Sequence, residues 1–539
     1  MNIEPVSFGE FPFSKLFNDY LSGSKELLSF FDFDPLSDDS LDERIENFSF
    51  QGDRHRISNA LTDFNQRFDA PQNTLDSIKK LRDESSIAVV TGQQMTLYGG
   101  PMFTIYKIIT AIHKARQLER RSGRSVIPLF WLADEDHDYE EVAAISLPVQ
   151  DEQVKVFYEA LQGRNMRISD LKIDNSFESF RNQILELLQE SEFRPALLEM
   201  LDGCYSDGQR LGISFGKFIL KLFGKYGLVL AGSNDKEFKK LVQNPLSLSI
   251  QKASELHDTL IDTSGRLSDA GYHNQVTIQE SNLFWIDENG KRIKIKLKGD
   301  QWFVDGTEIE WSSEELIQKI RSEPDSFSPN VFMRPIVQNY LIPAVAYVAG
   351  PGEIAYYAQM REFYRHFDLK MPVIIPRFSI TMVESPVARI LDKLPFQIPE
   401  YMERIEDLEK MYIKRSETPD IETIFKEWKS SVKKESDGQV GKVAEIDPTL
   451  KKSADKTVSQ FFTELDKLKG KLYRSVKDDE KTQLKRILKI QKNLFPDMNL
   501  QEREVAFIYF MNRYGMDIWD QLYDQLADHQ PDSHKIVYL

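Results

Sequence analysis

The sequence predicts an α/β protein with a parallel sheet at its core, a small antiparallel insertion and an α-helical C-terminal region. Short, continuous apolar runs separated by helical patterns are typical of parallel strands that are covered on both faces. Two alternating segments around an Asn-Gly turn interrupt this series, and long charged segments of helical periodicity follow it. We therefore expect a sheet domain over residues 1–380 and a helical domain over residues 381–539.

The first strand–helix–strand unit has the clearest local pattern. Residues 87–91 are apolar and rich in β-branched side chains, which predicts a buried strand. After a glycine-containing loop, Pro101 suits the first turn of a helix, because a missing N–H costs nothing there. The helix should end at Gly123, and Val126–Leu132 is the next apolar strand. Two parallel strands with a right-handed crossover are the expected result.

Other segments complete the expected sheet domain. Residues 1–86 are predicted to be mostly helical. Apolar runs predict three further parallel strands, at residues 227–231, 341–348 and 372–376. Alternating segments on both sides of an Asn-Gly turn predict a hairpin, to which residues 301–304 could add a third strand. This gives an antiparallel insertion at about residues 282–311.

The helical domain carries a heptad pattern typical of a coiled coil. Its apolar residues recur in steps of three and four at Val458, Phe461, Leu465, Leu468 and Leu472. A second helix over 484–494 could pack beside this seam, and the polar residues 435–438 favour a connecting loop. A hairpin within one chain and a contact between two chains satisfy the pattern equally well.

Charge and cysteine content narrow the class of function. The chain has 85 acidic and 69 basic residues, for a net charge of −16, and such a surface repels nucleic-acid phosphates. A single cysteine, Cys204, excludes an intramolecular disulfide and fits a reducing cytoplasm. We see neither a signal peptide nor an apolar run near the roughly 18 residues that span a bilayer. We expect a cytoplasmic protein that binds neither nucleic acid nor membrane.

Two glycine-containing loops follow predicted strands, where open parallel sheets bind ligands. Glycine lets the backbone approach a ligand, and a helix that begins there attracts phosphate or carboxylate. The candidate binding residues of the two loops are Gly92, Gln93, Gln94, Gly99, Gly100, Gly350, Gly352 and Glu353. A tight turn explains the first loop equally well, and a dipole-favoured carboxylate explains Glu353 equally well. Two arginines, Arg334 and Arg377, are placed to meet an anionic ligand.

An acidic cluster follows the strand Val126–Leu132 directly. Its members are Asp134, Glu135, Asp136, His137 and Asp138. Crowded carboxylates there could hold a substrate ammonium or Mg²⁺, and His137 could move a proton near neutral pH. A solvated acidic turn is the alternative. Because strand ends concentrate function, we name these five as the catalytic candidates. No pair of histidines has zinc-protease spacing, and we name no metal ligand.

Several stretches together resemble the family of cysteine-adding enzymes of bacillithiol biosynthesis. The longest are residues 91–94, 98–107, 130–138 and 349–356, with shorter matches at 328–330, 334–335, 376–377, 500–503 and 512–515. The resemblance covers nearly the whole chain. The second of these stretches adds Lys107 to the candidate binding residues, and small differences such as Met95 and Tyr357 are conservative.

The resemblance implies a Rossmann-like core related to class I aminoacyl-tRNA synthetases and a coiled-coil domain that can form a homodimer. It also implies that cysteine is added to the amine of glucosaminyl malate, forming an amide. A free carboxylate needs activation, most economically as an adenylate or acyl phosphate, so a synthetase-like fold suggests ATP, with Mg²⁺ as its companion. Two other classes stay open: a non-catalytic nucleotide-binding scaffold, and an RNA-aminoacylating or RNA-binding relative, against which the acidic charge balance counts.

Overall fold

The structure, a computed structural model, describes residues 1–135, 139–150, 152–159, 167–415 and 420–539. Contacts between residues divide the chain into two compact units. The first unit comprises Met1–Met382 and Gln501–Val537, and the second comprises Val383–Leu500 and Tyr538–Leu539. The segment Gln501–Val537 therefore belongs to the unit that holds the parallel sheet, whereas the sequence predicted a helical domain over residues 381–539.

The described strands form a parallel sheet, two antiparallel or mixed sheets and a hairpin. Their bounds are β1 Asn2–Val6, β2 Ile87–Gln93, β3 Val126–Leu132, β4 Ala144–Val149, β5 Glu152–Phe157, β6 Val229–Gly232, β7 Leu283–Ile286, β8 Arg292–Lys298, β9 Gln301–Val304, β10 Glu310–Ser312, β11 Phe327–Pro329, β12 Ala344–Ala349, β13 Val373–Pro376, β14 Ser379–Val383 and β15 His534–Tyr538.

The parallel sheet has the strand order β13-β12-β2-β3-β6. Each neighbouring pair is parallel, with Val90 opposite Leu129 and Val348 opposite Ile375. Numbered along the chain, these strands run 5-4-1-2-3 across the sheet, which is the order of a doubly wound Rossmann-type fold. All residues of β3, β12 and β13 are buried, which explains their continuous apolar sequences. The predicted fold class is confirmed.

The crossover helix between β2 and β3 covers one face of the sheet. This helix, α6, begins at Phe103 and ends at Ser122, and Gly123 follows with a φ of 68°. A left-handed residue at that position ends a helix at least cost when it is glycine. Ala111 and Ala115 of α6 pack against Val89 and Val345 in one buried apolar cluster. The structure confirms the predicted helix and its end at Gly123.

The antiparallel insertion is also present, with the order β10-β9-β8-β7-β11. Its first hairpin joins β7 to β8 at the predicted turn, and Trp285 lies opposite Ile293. The sheet is larger than expected because β11, which lies beyond residue 311, pairs with β7.

A further small sheet, of order β1-β15-β14, was missed. Its edge strand β1 contains Pro5, which edge strands tolerate. The partner of β1 comes from the opposite end of the chain, so no local pattern indicates the pairing.

Helices surround the sheets of the first unit. Those before residue 383 are α1 Lys15–Leu21, α2 Lys25–Leu28, α3 Asp38–Glu46, α4 Arg54–Gln66, α5 Gln72–Lys80, α6 Phe103–Ser122, α7 Tyr139–Val142, α8 Phe177–Leu187, α9 Arg194–Cys204, α10 Leu211–Phe223, α11 Lys236–Leu241, α12 Gln243–Gln251, α13 Ala253–Asp269, α14 Ser313–Ser322, α15 Met333–Leu341, α16 Pro351–Tyr357 and α17 Arg361–Arg365. No helix in the described ranges is long and apolar enough to cross a membrane.

The second unit is helical. Its helices are α18 Ser385–Leu391, α19 Ile405–Arg415, α20 Ile421–Ile446, α21 Lys451–Asp479 and α22 Lys481–Leu494. After it, the chain returns to the first unit with α23 Gln501–Glu504, α24 Ile508–Tyr514 and α25 Ile518–Gln525.

A long antiparallel hairpin of α20 and α21 forms the coiled coil. Helix α20 runs without a break through residues 435–438, so the loop expected there is wrong. The turn instead lies at Pro448–Leu450, where Asp447 accepts a hydrogen bond from the Thr449 N–H at 2.9 Å and proline cannot continue a helix. Glycine inside an exposed helix costs only about 1 kcal/mol, which a helix of this length tolerates.

The heptad seam is divided between two environments. Leu465 is buried against Ile421 and Phe425 of the same chain. Phe461 and Leu468, by contrast, are 43% and 46% exposed in the single chain. Packing within one chain therefore accounts for only part of the seam, and the homodimer stays a prediction.

Candidate functional site

A cavity of about 550 Å³ lies at the carboxyl ends of β2 and β12. The strand order reverses between these two strands, and a crevice opens at such a point in a doubly wound sheet. The loop after β2 contributes Gly92, Gln93 and Gln94, and the loop after β12 contributes Gly350, Gly352 and Glu353. Two segments about 260 residues apart in sequence thus meet at one cavity, since parallel strands end on the same edge.

A buried ion pair joins the two loops. Lys107 of α6, only 4% exposed, contacts the Glu353 carboxylate. Its Nζ also donates to the Gly92 carbonyl oxygen at 2.8 Å and to Gln93 Oε1 at 3.1 Å. Burial lowers the pKa of Lys107, and the nearby Glu353 charge opposes that shift. Lys107 therefore holds the first loop in place and adds positive charge to the cavity wall.

Glu353 has three described partners within the protein. Its carboxylate accepts the Tyr347 hydroxyl at 2.7 Å and the Gly350 N–H at 2.7 Å, in addition to Lys107. The Gly350 contact caps the start of α16. These contacts fit a carboxylate favoured at a helix start, and the Gly350 N–H is occupied by this cap.

A second buried pair lies at the same cavity and involves the C-terminal segment. Arg377 Nη2 donates to Glu502 Oε1 at 2.7 Å, with side-chain exposures of 5% and 0%. Glu502 also accepts the Ile380 N–H at 2.8 Å and the Ser379 hydroxyl at 3.0 Å. Burial pushes the pKa of Glu502 upward, but the Arg377 charge and these hydrogen bonds outweigh it and leave the pKa below its ordinary value. Arg377 lines the cavity with its charge already paired.

A buried histidine extends this network away from the cavity. One ring nitrogen of His534 lies 2.9 Å from Ser379 Oγ and the other lies 2.9 Å from Thr381 Oγ1. Burial lowers the pKa of His534 to about 4, so the ring is neutral at physiological pH. Its role is to align the strand that carries Ser379, beside Glu502.

Positive charge predominates on the cavity wall. Among the described lining residues, Lys107, Arg334, Arg377 and Arg503 are basic and Glu353 is acidic. Arg334, on α15, hydrogen-bonds Tyr356, whereas Arg503 is exposed. This wall suits a phosphate or carboxylate ligand, in contrast to the net charge of −16 on the whole chain.

Asp134 ties β3 to β6. Its Oδ1 accepts the N–H groups of Ser233 at 2.9 Å and Asn234 at 3.0 Å. Burial and the neighbouring Glu135 raise the pKa of Asp134 to about 8. Asp134 was predicted to belong to a catalytic cluster, but its carboxyl lies outside the cavity at the switch point and accepts hydrogen bonds from the backbone that follows β6.

Glu135 is the second described member of the acidic cluster. It pairs with buried Lys239 at 2.5 Å and accepts the Ser328 hydroxyl at 2.9 Å. The carboxylate is thereby compensated inside the protein, as a buried charge must be. Asp136, His137 and Asp138 lie outside the described residues, so the prediction for them stays a prediction. Among the described residues, no group of three His, Cys, Asp or Glu side chains is arranged to hold a metal ion.

Gly99 and Gly100 lie outside the cavity. Their φ angles are 82° and 72°, which favour glycine, and a Cβ on Gly99 would lie 2.1 Å from the Phe507 ring. A Cβ on Gly100 would lie 2.2 Å from Thr96 Oγ1. The assignment of these two glycines to ligand binding is corrected: they permit a tight turn and close packing with the C-terminal segment.

Some lining residues were missed by sequence reasoning. They are Phe103, Trp131, Gln275, Gln338, Tyr347, Tyr356 and Arg503. Tyr347 lies within an apolar strand, where composition cannot distinguish a wall residue from a core residue. Arg503 belongs to a stretch that supported the family resemblance, and that was the only signal available for it.

The raised pKa of Asp134 predicts an unusual effect of Asp134→Asn. The folded protein keeps the proton up to about pH 8, whereas an unfolded carboxyl loses it near pH 4, so wild-type stability should fall across this window. Asparagine stays neutral and keeps the acceptor oxygen. In urea unfolding, the free energy of unfolding of the variant relative to wild type should rise by at least about 1 kcal/mol from pH 5 to pH 8. An exposed control, Asp63→Asn, should show no such gain. The prediction would be contradicted if the free energies of unfolding of Asp134→Asn and wild type differed by the same amount at pH 5 and at pH 8.

Comparison with known families gives two matches that together span nearly the whole chain. Residues 1–378 match the N-terminal Rossmann-like domain of bacillithiol biosynthesis BshC. Residues 380–539 match the C-terminal coiled-coil domain of the same proteins.

Similar proteins of comparable length bear one name, "Putative cysteine ligase BshC". The protein from Salinibacter ruber is 34% identical over 491 residues, covering 90% of this chain and 89% of its own. The protein from Chlorobaculum tepidum is 31% identical over 546 residues, which cover 98% of this chain and 97% of its own. That from Koribacter versatilis is 31% identical over 515 residues, covering 95% of each chain.

Proposed function

Since the chain belongs to the BshC family of bacillithiol biosynthesis, we propose that this ligase joins cysteine to the amine of glucosaminyl malate through an amide bond. The observation that carries the proposal is the cationic cavity at the switch point of the sheet. Both substrates carry carboxylates and an activating phosphate compound is anionic, so these groups match a basic wall within an acidic protein.

The proposed chemistry requires activation of the cysteine carboxylate. ATP would supply it, with Mg²⁺ as companion of the phosphate groups, by converting the carboxylate to an adenylate or acyl phosphate. The sugar amine then forms a bond to the carboxyl carbon, the bond from that carbon to the phosphate oxygen breaks, and the amine proton passes to a base. Arg334 and Arg503 would meet anionic oxygens, while the Lys107–Glu353 pair keeps the loop after β2 in place.

Replacement of Asp136 or His137 tests the chemistry. Both residues follow a strand that ends at the cavity edge, and a carboxylate–imidazole pair there suits proton exchange with an amine. Asp136→Asn and His137→Asn should each lower thiol product formation by about two orders of magnitude, the range for losing an acid–base group. Product is measured by mass spectrometry from cysteine, glucosaminyl malate and ATP, beside a thermal melt of each variant.

The outcomes separate an enzyme from a scaffold. Lost product with an unchanged melting temperature supports the proposed chemistry. Near-normal activity in both variants would reduce the cluster to a charged turn and direct the search to the two glycine loops. A wild-type protein that binds ATP but forms no amide would favour the nucleotide-binding scaffold instead.

We further propose that the exposed part of the heptad seam joins two chains in a homodimer. Phe461, Leu468 and Leu472 are 38–46% exposed in the single chain, and a partner helix would cover them. Light scattering at micromolar concentration should give twice the chain mass. Phe461→Glu should shift the protein to a monomer, and a monomeric wild type would reject the proposal.

A further inference from the structure

A second cavity, of about 400 Å³, adjoins the first. The two cavities share Ala133, Val276, Val331 and Arg334 as wall residues. Ala133 directly follows β3, so the shared wall lies at the end of the parallel sheet. A ligand in either cavity can therefore approach a ligand in the other across this wall.

The antiparallel insertion builds the far side of the second cavity. Phe284 of β7 and Arg292 and Lys294 of β8 line it. The Arg292 guanidinium lies 4.2 Å from the centroid of the Phe284 ring, and its Nη2 donates to the Pro329 carbonyl oxygen at 2.9 Å. These two contacts hold the guanidinium in one orientation at the wall, which favours recognition of a planar carboxylate.

The rest of the wall is a mixture of neutral polar and apolar groups. Thr277, Gln279 and Ser281 offer hydroxyl and amide groups, and Leu283 and Ile295 offer apolar surface. Glu135 also lines this cavity, with its charge compensated by Lys239. A sugar ring presents hydroxyls at its rim and C–H groups on its faces, so it matches such a mixture.

We infer that the second cavity binds the amino-sugar acceptor, with its malate carboxylates at Arg292 and Lys294 and its amine at the shared wall. The inference rests on the proposed function. Cysteine is small and carries a single carboxylate, which must meet the activating phosphate groups in the first cavity. The acceptor carries a ring and two carboxylates, which match the two cations and the mixed surface of the second. The antiparallel insertion thereby acts as the specificity element of the reaction.

Steady-state kinetics on the full-length protein test this assignment. Lys294→Ala should raise the KM for glucosaminyl malate about tenfold, the effect of losing one charge-assisted hydrogen bond, and leave the KM for cysteine unchanged. Lys294→Glu should raise it further. Lys296→Ala is the matched control, since Lys296 lies on the same strand but pairs with Asp305 at 2.8 Å outside the cavity. Methyl glucosaminide, which lacks the carboxylates, should react equally poorly with wild type and Lys294→Ala.

The outcomes keep the two proposals apart. If amide is formed at the wild-type rate and Lys294→Ala has the same KM for the acceptor as Lys296→Ala, the assignment of the second cavity is overturned. The proposed ligase function would still hold in that case. A KM for cysteine that rises as much as that for the acceptor would also overturn it. If wild type forms no amide and calorimetry detects no binding of glucosaminyl malate, the proposed function fails and the assignment falls with it.

Discussion

Replacing Lys107 with methionine should lower amide formation at least about 100-fold and destabilise the protein by about 3–5 kcal/mol. Methionine leaves the Glu353 carboxylate, which is 18% exposed, without the cation that Lys107 supplies from a position that is 4% exposed. The Gly92 carbonyl and Gln93 side chain also lose their donor, so the loop at the cavity can shift. Small displacements of a positioning loop are sufficient for losses of this size. Urea unfolding and product formation measure the two effects.

Two further variants serve as controls for Lys107→Met. The double variant Lys107→Met with Glu353→Gln removes both charges. Because a buried ion pair contributes little net stability, this variant should regain a large part of the free energy of unfolding that Lys107→Met loses. Activity should stay low, since the Gly92 carbonyl oxygen and the Gln93 side chain still lack their donor. Lys114→Met is the control: Lys114 lies on the same helix and is 9% exposed, but it binds Gln117 and Gln530 away from the cavity. Wild-type activity in Lys107→Met would contradict a positioning role.

The second large effect is expected for Glu502→Gln. Ile380 and Ser379 donate to different oxygens of Glu502, and glutamine has one acceptor oxygen, so it can keep only one of these two hydrogen bonds. It also leaves the Arg377 guanidinium buried without a counter-charge, at a cost of about 3–5 kcal/mol. Arg377 should then reorient at the cavity, and kcat/KM should fall at least about tenfold. Urea unfolding measures the loss of stability, and steady-state kinetics measure the change in kcat/KM.

A neighbouring glutamate provides the control for this variant. Glu504→Gln changes the same helix at a half-buried position and should alter neither quantity appreciably. A Glu502→Gln protein as stable as wild type would show that the Arg377 charge needs no partner. A stable variant with reduced kcat/KM would still support an effect on the cavity through Arg377.

The parallel sheet was predictable because burial on both faces makes each strand a continuous apolar run. The crossover helix α6 was predictable from its periodicity and from Gly123. Strand β1 was not predictable, since its partner β15 lies more than 500 residues away in sequence. Helix α20 was divided in error because a Ser-Asp-Gly sequence favours turns locally, whereas helical residues continue on both sides of it.

The candidate site was predictable only in outline. Two glycine loops after parallel strands had to meet, and Gly92 and Gly350 do so. Residue type alone did not separate Gly92 from Gly99, because packing against Phe507 requires glycine as strongly as a ligand would. The partnership of Arg377 with Glu502 also had no signal, since it depends on how a distant segment returns to the sheet.

That return has a consequence for biosynthesis. The helical unit is inserted between β14 and α23, so Glu502 and Arg503 emerge from the ribosome only after the whole coiled coil has been made. Until then the nascent chain carries Arg377 beside an unfinished cavity without its counter-charge. The cavity can therefore be completed only after the helical unit has been translated. A chain released prematurely within the coiled coil would lack both Glu502 and Arg503.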